Sequence, residues 1–315
     1  MELIGFNRSH IRQAQILAEE NYDAERGLVR ALPQNPPMPD LAQFADSHLG
    51  VAALQGDRLI GFLCCCEPRE HAFGSNATGI FSPLHAHGAI QDNREQIYRM
   101  LYQSAAKKWV SKGAAYHAIS LYAHDEAAKR ALFSCGFGAR CVDAIRPMER
   151  IPTSRTAVLP IRRLKPREIS LIRSLRAGLS VHLGESPCFL YSSAQTYQRW
   201  LARAEERDSI VYAAFDWDTA VAFVEATQGG ENFATEAKDM MNICGAFCLS
   251  VYRGSGLMQC VLNALIADLQ GTGCLRLGVD YESANLAASG FWSKYFQPYT
   301  CSVTRRVDEA VLHRA

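Results

Sequence analysis

The eight residues Val251-Tyr-Arg-Gly-Ser-Gly-Leu-Met258 constrain the fold of this chain more than any other stretch. They come after an apolar run, Ile243 to Leu249, that predicts a buried strand. They precede a helix that the spacing of apolar residues predicts over about 256–270. Glycines let a backbone approach an oxyanion, a helix N-terminus offers unpaired N–H groups, and Arg253 adds a cation. The pattern is suited to holding phosphate, although a glycine-rich turn also serves simply to join a strand to a helix.

The residues beyond the predicted helix favour the phosphate interpretation. A strand-like run, Cys274 to Val279, precedes a helix reaching about Phe296 and a last strand near 299–306. This succession resembles the GNAT superfamily of acyl-CoA-dependent N-acyltransferases, whose diphosphate motif is Gln/Arg-x-x-Gly-x-Gly/Ala. Here the motif begins at Arg253, and five of its six places fit; Met258 stands where the family prefers Gly or Ala.

A second family motif has an Asn, an Ala three residues later and then an aromatic pair. It matches Asn285, Ala288, Phe291 and Trp292. The family often has Tyr in place of Trp292, and that Tyr often acts as the general acid. An indole N–H is not acidic, so this is a material departure. Tyr295 lies about one helical turn later and is the substitute we predict, with packing as its alternative role.

The resemblance implies transfer of an acetyl group from acetyl-CoA, as co-substrate, to a primary amine. It implies that the backbone N–H groups of Cys248, Leu249 and Val251 face the thioester and pantetheine. It implies a diphosphate loop formed by Arg253, Gly254, Ser255, Gly256, Leu257 and Met258. It also implies that Asn285 and Trp292 contact the pantetheine arm. The acceptor must be a neutral amine, so a base or a water chain must take its proton.

Glu225 is the predicted base, because it interrupts the end of an apolar strand where a carboxylate needs a reason to be. Asp239, Asp280 and Glu282 are the alternatives, and a solvated surface carboxylate is the ordinary interpretation of each. The acceptor itself cannot be read from the residues. The loop from Gln228 to Asp239 is predicted to border its site.

The chain also repeats itself, with an offset of about 160 residues. Each copy runs strand, helix, helix, hairpin, strand, helix, strand, helix, strand. This order predicts an α/β protein of two tandem GNAT-like domains, each a mixed, mostly antiparallel sheet flanked by helices. Pro147 and Pro152 interrupt the pattern, so we place the domains at 1–150 and 151–315, with the last strand in the second.

The first copy lacks the diphosphate signature. Its matching stretch, Ile80 to Ala89, has no Arg-Gly-x-Gly; only Gly88 could help to form a cradle. Asp125 stands at the Asn place and Leu132 at the Tyr place. We therefore expect this copy to keep the fold with weak or no acetyl-CoA chemistry. The His85-x-His87 pair is predicted to be solvent-facing or capping, and no metal site is expected.

The composition limits the classes of partner that are expected for this chain. Lys and Arg total 33 against 32 Asp and Glu, which gives no reason to expect nucleic acid or a membrane as a partner. The first residues lack a signal peptide's pattern, so a cytoplasmic protein is expected. The eleven cysteines match no zinc framework. The chain is expected to be a monomer or a homodimer. The alternative function is a non-catalytic, regulatory module that binds acyl-CoA.

Overall fold

The computed structural model describes residues 1–153, 159–191, 198–202 and 209–313. Contacts divide the chain into two compact units. Unit 1 comprises Met1–Asp143 and Pro298–Ala315, and unit 2 comprises Ala144–Gln297. Each unit has a hydrophobic core of its own.

The helices and strands have these bounds in chain order: β1 Glu2–Gly5, α1 Ile11–Leu28, α2 Ala42–Ser47, β2 Val51–Gln55, β3 Arg58–Leu63, β4 Gly79–Ser82, β5 His87–Ala89, α3 Arg94–Ser111, β6 Tyr116–Tyr122, α4 Glu126–Phe133, β7 Gly138–Pro147, β8 Ile161–Arg163, α5 Arg173–Gly184, β9 Ile210–Asp216, β10 Thr219–Thr227, β11 Met240–Cys248, α6 Leu257–Gln270, β12 Arg276–Glu282, α7 Leu286–Trp292, β13 Gln297–Pro298 and β14 Thr300–Arg306. Residues 198–202 are also helical; the rest of the helix predicted over 194–206 lies outside the described residues.

Unit 1 is built on two groups of strands. One has the order β1-β2-β3-β5 and is antiparallel throughout. The other has the order β4-β6-β14-β7, in which β4 runs parallel to β6. The long helix α3 buries Leu101 and Trp109 in the core, and the Trp109 indole N–H donates to Leu49 O at 3.2 Å. Trp109 thus buries a large apolar area while its indole N–H keeps a partner.

The last strand of the chain completes unit 1. Strand β14 pairs with β6 over seven residues, from Thr300 opposite Tyr122 to Arg306 opposite Tyr116, and it pairs with β7 on its other side. Val303 is fully buried in the unit 1 core. The sequence repeat instead groups this strand with 151–315. A strand's own residues do not encode which sheet it joins, because pairing is decided by a partner far away in the sequence.

Unit 2 contains the strand order β12-β11-β10-β9-β8. The hairpin of β9 and β10 turns at Trp217-Asp218, one residue shorter than the turn predicted. Helix α5 packs on β10 and β11, and helix α6 packs on β8, β9 and β10. Apolar residues at helical spacing, such as Val261 and Leu265, are completely buried, so α6 anchors the turn that precedes it.

One expectation for the first copy was wrong. His85 and His87 are buried rather than solvent-facing, and the His87 ring bonds with the Tyr98 hydroxyl at 2.9 Å and with Ser120 O at 2.6 Å. Gly88, the one glycine of this stretch that could have helped to form a cradle, lies in β5, where a Cβ atom would come within 2.5 Å of Asn21 Nδ2. Sequence spacing placed these residues in a loop, but His87 and Gly88 belong to the short strand β5, which packs against α1.

Most predicted elements are present within a few residues of their expected bounds, and the predicted fold class is confirmed. Within the described ranges, no helix is long and apolar enough to cross a membrane. Nor do the described side chains bring together three or more potential metal ligands.

Candidate active site

The site of unit 2 begins where two parallel strands separate. Strands β11 and β12 pair from Met240 opposite Arg276 to Ile243 opposite Val279. The next residue, Cys244, is a bulge in the pairing of β11 with β10. Beyond it, β11 continues to Cys248 with no further pairing to β12 among the described residues. A bulge bends and twists its strand, so this one accounts for the opening between the two strand ends.

Two left-handed glycines shape the turn between β11 and α6. Gly254 has φ 73° and Gly256 has φ 87°, a region that side chains with a Cβ rarely adopt. Between them, the Ser255 hydroxyl donates to Tyr252 O at 2.6 Å and accepts the Leu257 N–H at 3.3 Å. The glycine spacing is therefore explained by backbone conformation, and the serine side chain is used inside the turn.

This turn presents backbone donors at the start of α6. Within the described parts of the chain, the N–H groups of Ser255, Gly256, Met258 and Gln259 donate no hydrogen bond. They lie at a helix N-terminus, where the first N–H groups have no helical partner and the helix dipole favours an anion. A phosphate oxygen is the type of group that suits such a position.

Arg253 is held in place beside these donors. Its Nε donates to Cys248 O at 3.0 Å, and its guanidinium lies 5.4 Å from the centre of the Phe247 ring. The hydrogen bond uses one edge of the guanidinium, and the terminal nitrogens form no hydrogen bond or ion pair with a described residue. A fixed cation with open donors complements the backbone N–H groups.

A cavity of about 430 Å³ lies in front of this turn. Its walls come from α5, the end of β11, the first turn of α6, and α7 with the residues after it. Nine of the predicted site residues line it: Cys248, Arg253, Gly254, Gly256, Leu257, Met258, Asn285, Trp292 and Tyr295. The structure thus brings together most of what the two sequence motifs predicted.

Asn285 is both a helix cap and a wall of the cavity. Its Oδ1 accepts the Ala288 N–H at 3.2 Å, which explains the spacing of Asn and Ala in the motif. The same oxygen lies 3.2 Å from His182 Nε2, on α5. Asn285 is buried, and with the oxygen committed twice, its amide N–H₂ is the end left for a ligand.

The aromatic residues of the second motif form one wall. The rings of Phe291 and Trp292 meet edge to face at 4.9 Å, and those of Phe291 and Tyr295 at 5.2 Å. Trp292 is buried, whereas the half-buried Tyr295 brings its hydroxyl within 3.2 Å of Gln259 Nε2. Tyr295 therefore has a polar role as well as a packing role. A hydroxyl that accepts from an amide still has its own proton to donate.

Three predicted cofactor residues lie outside the cavity lining: Leu249, Val251 and Ser255. The Leu249 N–H donates to Val221 O at 3.0 Å, so the sheet already uses the donor that the resemblance assigned to a ligand. Val251 is strongly exposed on a short 3₁₀ turn. Sequence alignment counts residues along a strand but does not show where its hydrogen bonding ends.

Glu225 is buried beside the bulge, outside the lining of the cavity. One carboxylate oxygen accepts the Trp200 indole N–H at 3.0 Å and lies 3.6 Å from an Arg176 nitrogen. Arg176 in turn lies 4.4 Å from the centre of the Trp200 ring. Glu225 faces Gly245, next to the bulge at Cys244, in the strand pairing. Its burial is explained by these two partners, and its use as a base remains a prediction.

Two of the other candidate carboxylates, Asp239 and Asp280, have different surroundings. Asp239 is paired with Arg276, which accounts for it structurally. Asp280 lines a separate unit 2 cavity of about 710 Å³, together with Cys244 and the residues 227–231. This cavity includes part of the loop predicted to border an acceptor, and it reaches the bulge. The acceptor assignment itself stays a prediction.

Three contributors are not predicted by the sequence motifs: His182, Gln259 and Arg176. Each is a helical residue whose role depends on which strand or helix it faces.

A family model described as the Acetyltransferase (GNAT) family matches residues 180–296. These residues form a GNAT domain. The match contains most of the strands and helices around the cavity, including the strand separation, the glycine turn and α7, and it lies wholly within unit 2.

Solved structures extend the likeness to the fold of the whole chain. A GCN5-related N-acetyltransferase from Sphaerobacter thermophilus is 12% identical, with a TM-score of 0.59 over 96% of this chain and 95% of that one. A glucosamine N-acetyltransferase region of a fungal multi-domain GH3 β-N-acetylglucosaminidase is 13% identical, with a TM-score of 0.53 over 96% of this chain and 38% of that one. At these identities the likeness concerns the fold. The comparison with curated proteins finds no match.

Proposed function

We propose that unit 2 is an acetyl-CoA-dependent N-acetyltransferase that acts on a primary amine of a small molecule or peptide. The observation that carries the proposal is the turn from Arg253 to Gly256, whose left-handed glycines aim open N–H groups and a fixed guanidinium at one cavity. The GNAT match over the same residues supports it. In this proposal the turn and the first residues of α6 hold the diphosphate, and Asn285 contacts the pantetheine arm through its amide N–H₂.

Acetyl-CoA supplies an activated acyl group, and the chain's own residues handle position and protons. The amine nitrogen must lose one proton as its bond to the acyl carbon forms. Glu225 is the candidate acceptor for it, directly or through water, since its carboxylate lies beside the bulge. The Tyr295 hydroxyl is the candidate donor to the departing thiolate, and Gln259 orients that hydroxyl. Positioning of two substrates in one cleft supplies much of the remaining acceleration.

The first experiment is a calorimetric titration of the full chain with acetyl-CoA. One site per chain is expected, because unit 1 has no equivalent of the glycine turn among its described residues. Thiol release with a panel of amines then tests turnover. Two sites would contradict the assignment of a single competent unit, and no binding would leave the likeness as one of fold.

Tyr295→Phe tests the acid. It removes the hydroxyl and keeps the ring that packs on Phe291. If Tyr295 protonates the thiolate, kcat falls by roughly 100-fold while the acetyl-CoA Kd stays near that of the wild type. Gln259→Leu, which removes the hydroxyl's partner, is expected to give a smaller fall in the same direction. An unchanged kcat in Tyr295→Phe assigns Tyr295 to packing.

A second candidate is a non-catalytic acyl-CoA-binding module. Trp292 at the family's Tyr place, together with the Arg176–Glu225 pair, favours it, because neither Trp292 nor a carboxylate committed to two partners is a ready acid or base. The two candidates differ in turnover. Tight acetyl-CoA binding with no thiol release above the uncatalysed rate, across the amine panel, would decide for the module.

A further inference from the structure

Unit 1 has its own cavity, which the proposed function leaves unused. It measures about 370 Å³ and lies between α1, the start of α3 and the turn from β6 to α4. Its walls include Asn21 and Glu25 from α1, Arg94 from α3, and Tyr122, His124 and Asp125 from the turn. All six carry polar side chains, and four of them are more than 90% buried: Asn21, Glu25, Arg94 and Tyr122. Such a concentration of buried polar groups calls for partners.

The charged groups of the wall have partners in one another. Arg94 is bidentate to Asp125, with Nε and Nη2 each 2.7–3.0 Å from its carboxylate oxygens, and its Nη1 donates to Ala89 O. Glu25 Oε1 lies 2.7 Å from His124 Nδ1. Burial raises the pKa of Glu25, against the hydrogen bond from His124, which lowers it. These pairs leave no strong net charge in the wall.

Two neutral groups of the wall have no partner among the described residues. The Asn21 Nδ2 and Tyr122 hydroxyl atoms are buried, both residues line the cavity, and neither atom forms a hydrogen bond with a described residue. Burial raises the pKa of Tyr122 well above its ordinary value, so the phenol keeps its proton. Gly88 leaves space for the Asn21 amide, since a Cβ there would lie 2.5 Å from Nδ2. Each unpaired buried polar group destabilises the free protein, because it has lost its hydrogen bonds to water without replacing them.

We propose that this cavity binds a small uncharged polyhydroxyl molecule of monosaccharide size. Hydroxyl groups both donate and accept, so they satisfy the Asn21 amide and the Tyr122 phenol together without disturbing the ion pairs. A charged ligand would have to compete with Arg94–Asp125 or Glu25–His124. A diphosphate is disfavoured, because the turn before α3 has no glycine and its residues 90–93 include one left-handed residue, Asn93. The proposal does not depend on catalysis by unit 2.

The test uses the full chain, with D-glucose and myo-inositol as probes. Saturation-transfer NMR and calorimetry are expected to detect at least one of them at millimolar affinity or tighter. Tyr122→Phe and Asn21→Ala are each expected to weaken that affinity at least 10-fold. Acetyl-CoA, titrated alongside, is expected not to displace the bound probe.

Thermal unfolding separates a ligand site from a structural network. Tyr122→Phe removes an unpaired hydroxyl, so the free variant should unfold at the same temperature as the wild type or higher. Tyr102→Phe is the matched control. It is a buried tyrosine of the same unit, outside the cavity, whose hydroxyl bonds with His117 Nδ1 at 2.9 Å. It should lower the unfolding temperature and leave probe binding unchanged.

Either of two results would overturn the proposal. One is that neither probe binds the wild type. The other is that a probe binds equally well to Tyr122→Phe and Asn21→Ala, which would place its site elsewhere. A fall in unfolding temperature in Tyr122→Phe as large as that in Tyr102→Phe would also count against it, since it would show a hydroxyl satisfied within the free protein.

Discussion

In unit 1 the Asp125 carboxylate caps α4 by accepting the Ala128 N–H at 3.0 Å; in unit 2 the Asn285 amide caps α7 by accepting the Ala288 N–H at 3.2 Å. The two caps are equivalent, but their partners differ. Asp125 forms an ion pair with the Arg94 guanidinium, whereas Asn285 forms a hydrogen bond with the His182 imidazole. A charged cap demands a buried counter-ion beside it, and a neutral cap does not. The two caps differ by one atom, a carboxylate oxygen in Asp125 and an amide nitrogen in Asn285. The unit 1 cavity is accordingly lined by ion pairs, whereas the unit 2 cavity is lined by an amide N–H₂ that is open to a ligand.

The turns before the long helices differ in the same way. In unit 2 the chain takes eight residues between β11 and α6, and two are left-handed glycines; in unit 1 it takes four between β5 and α3. The strands before them differ too. Unit 2 keeps one bulged strand, β11, while unit 1 has two short strands, β4 and β5, in its place. Similar folds thus present a glycine turn with open backbone N–H groups in one unit and no such turn in the described residues of the other.

The largest expected effect tests the assignment of the last strand to unit 1. Val303→Asp places a carboxylate in the buried middle of β14 and should destabilise unit 1 by on the order of 4 kcal/mol. Hydrogen exchange should accelerate at the β6 amides, 116–122. The control is Val311→Asp, at a position 40% exposed, which should change little. Faster exchange confined to β9–β12 would instead return β14 to unit 2.

Part of the fold and part of the candidate site could be predicted from the sequence. Periodicity and turn residues located most elements, and two motifs located nine residues that line one cavity, because glycine spacing and an N-cap are local properties of the chain. The sheet joined by β14, the burial of His85 and His87, and the partners of Glu225 were not predictable. Each depends on contacts between residues distant in the sequence. His87 also lies in a strand of three residues, which is too short to show a period.

The next effect concerns the anion site. Arg253→Glu sets a carboxylate against the proposed diphosphate and should raise the acetyl-CoA Kd by roughly 100-fold. Calorimetry measures it, with Arg58→Glu, at an exposed position beside a turn of unit 1, as the control of equal charge change. Circular dichroism should be unchanged, because Arg253 lies outside α6. Equal affinities in the two variants would remove the diphosphate from this turn.

Acid should affect unit 1 through its histidines. Burial lowers the pKa of His85, His87 and His117 to about 4. The unfolded chain, with a histidine pKa near 6.5, then binds more protons between pH 6.5 and 4, so stability falls as the pH falls through that window. Between pH 7 and 5.5 the loss is about 1 kcal/mol per histidine. Burial raises the pKa of Glu25, so this group acts in the opposite direction as the pH falls.

Urea unfolding of the full chain at pH 7.0 and 5.5, combined with hydrogen exchange in each unit, measures this loss. His117→Asn should flatten the pH dependence of the β6 amides, because it removes one of the three groups. A pH dependence that is the same in β6 and in β10, and is unaffected by His117→Asn, would mean that other groups control acid unfolding.

The smallest effect contrasts two glycines. Gly254→Ala forces an alanine into φ 73° and should destabilise unit 2 by about 1 kcal/mol, although a Cβ there meets no atom within 4 Å. Gly27→Ala, in the last turn of α1 and equally free of contacts, should stabilise unit 1 by about 0.5–1 kcal/mol. Denaturant midpoints give both signs. Because space is open at both positions, opposite signs would isolate backbone conformation as the reason for glycine in the turn. Stabilisation by both would show that Gly254 is free to leave the left-handed region, and that the cradle is not fixed by its glycines.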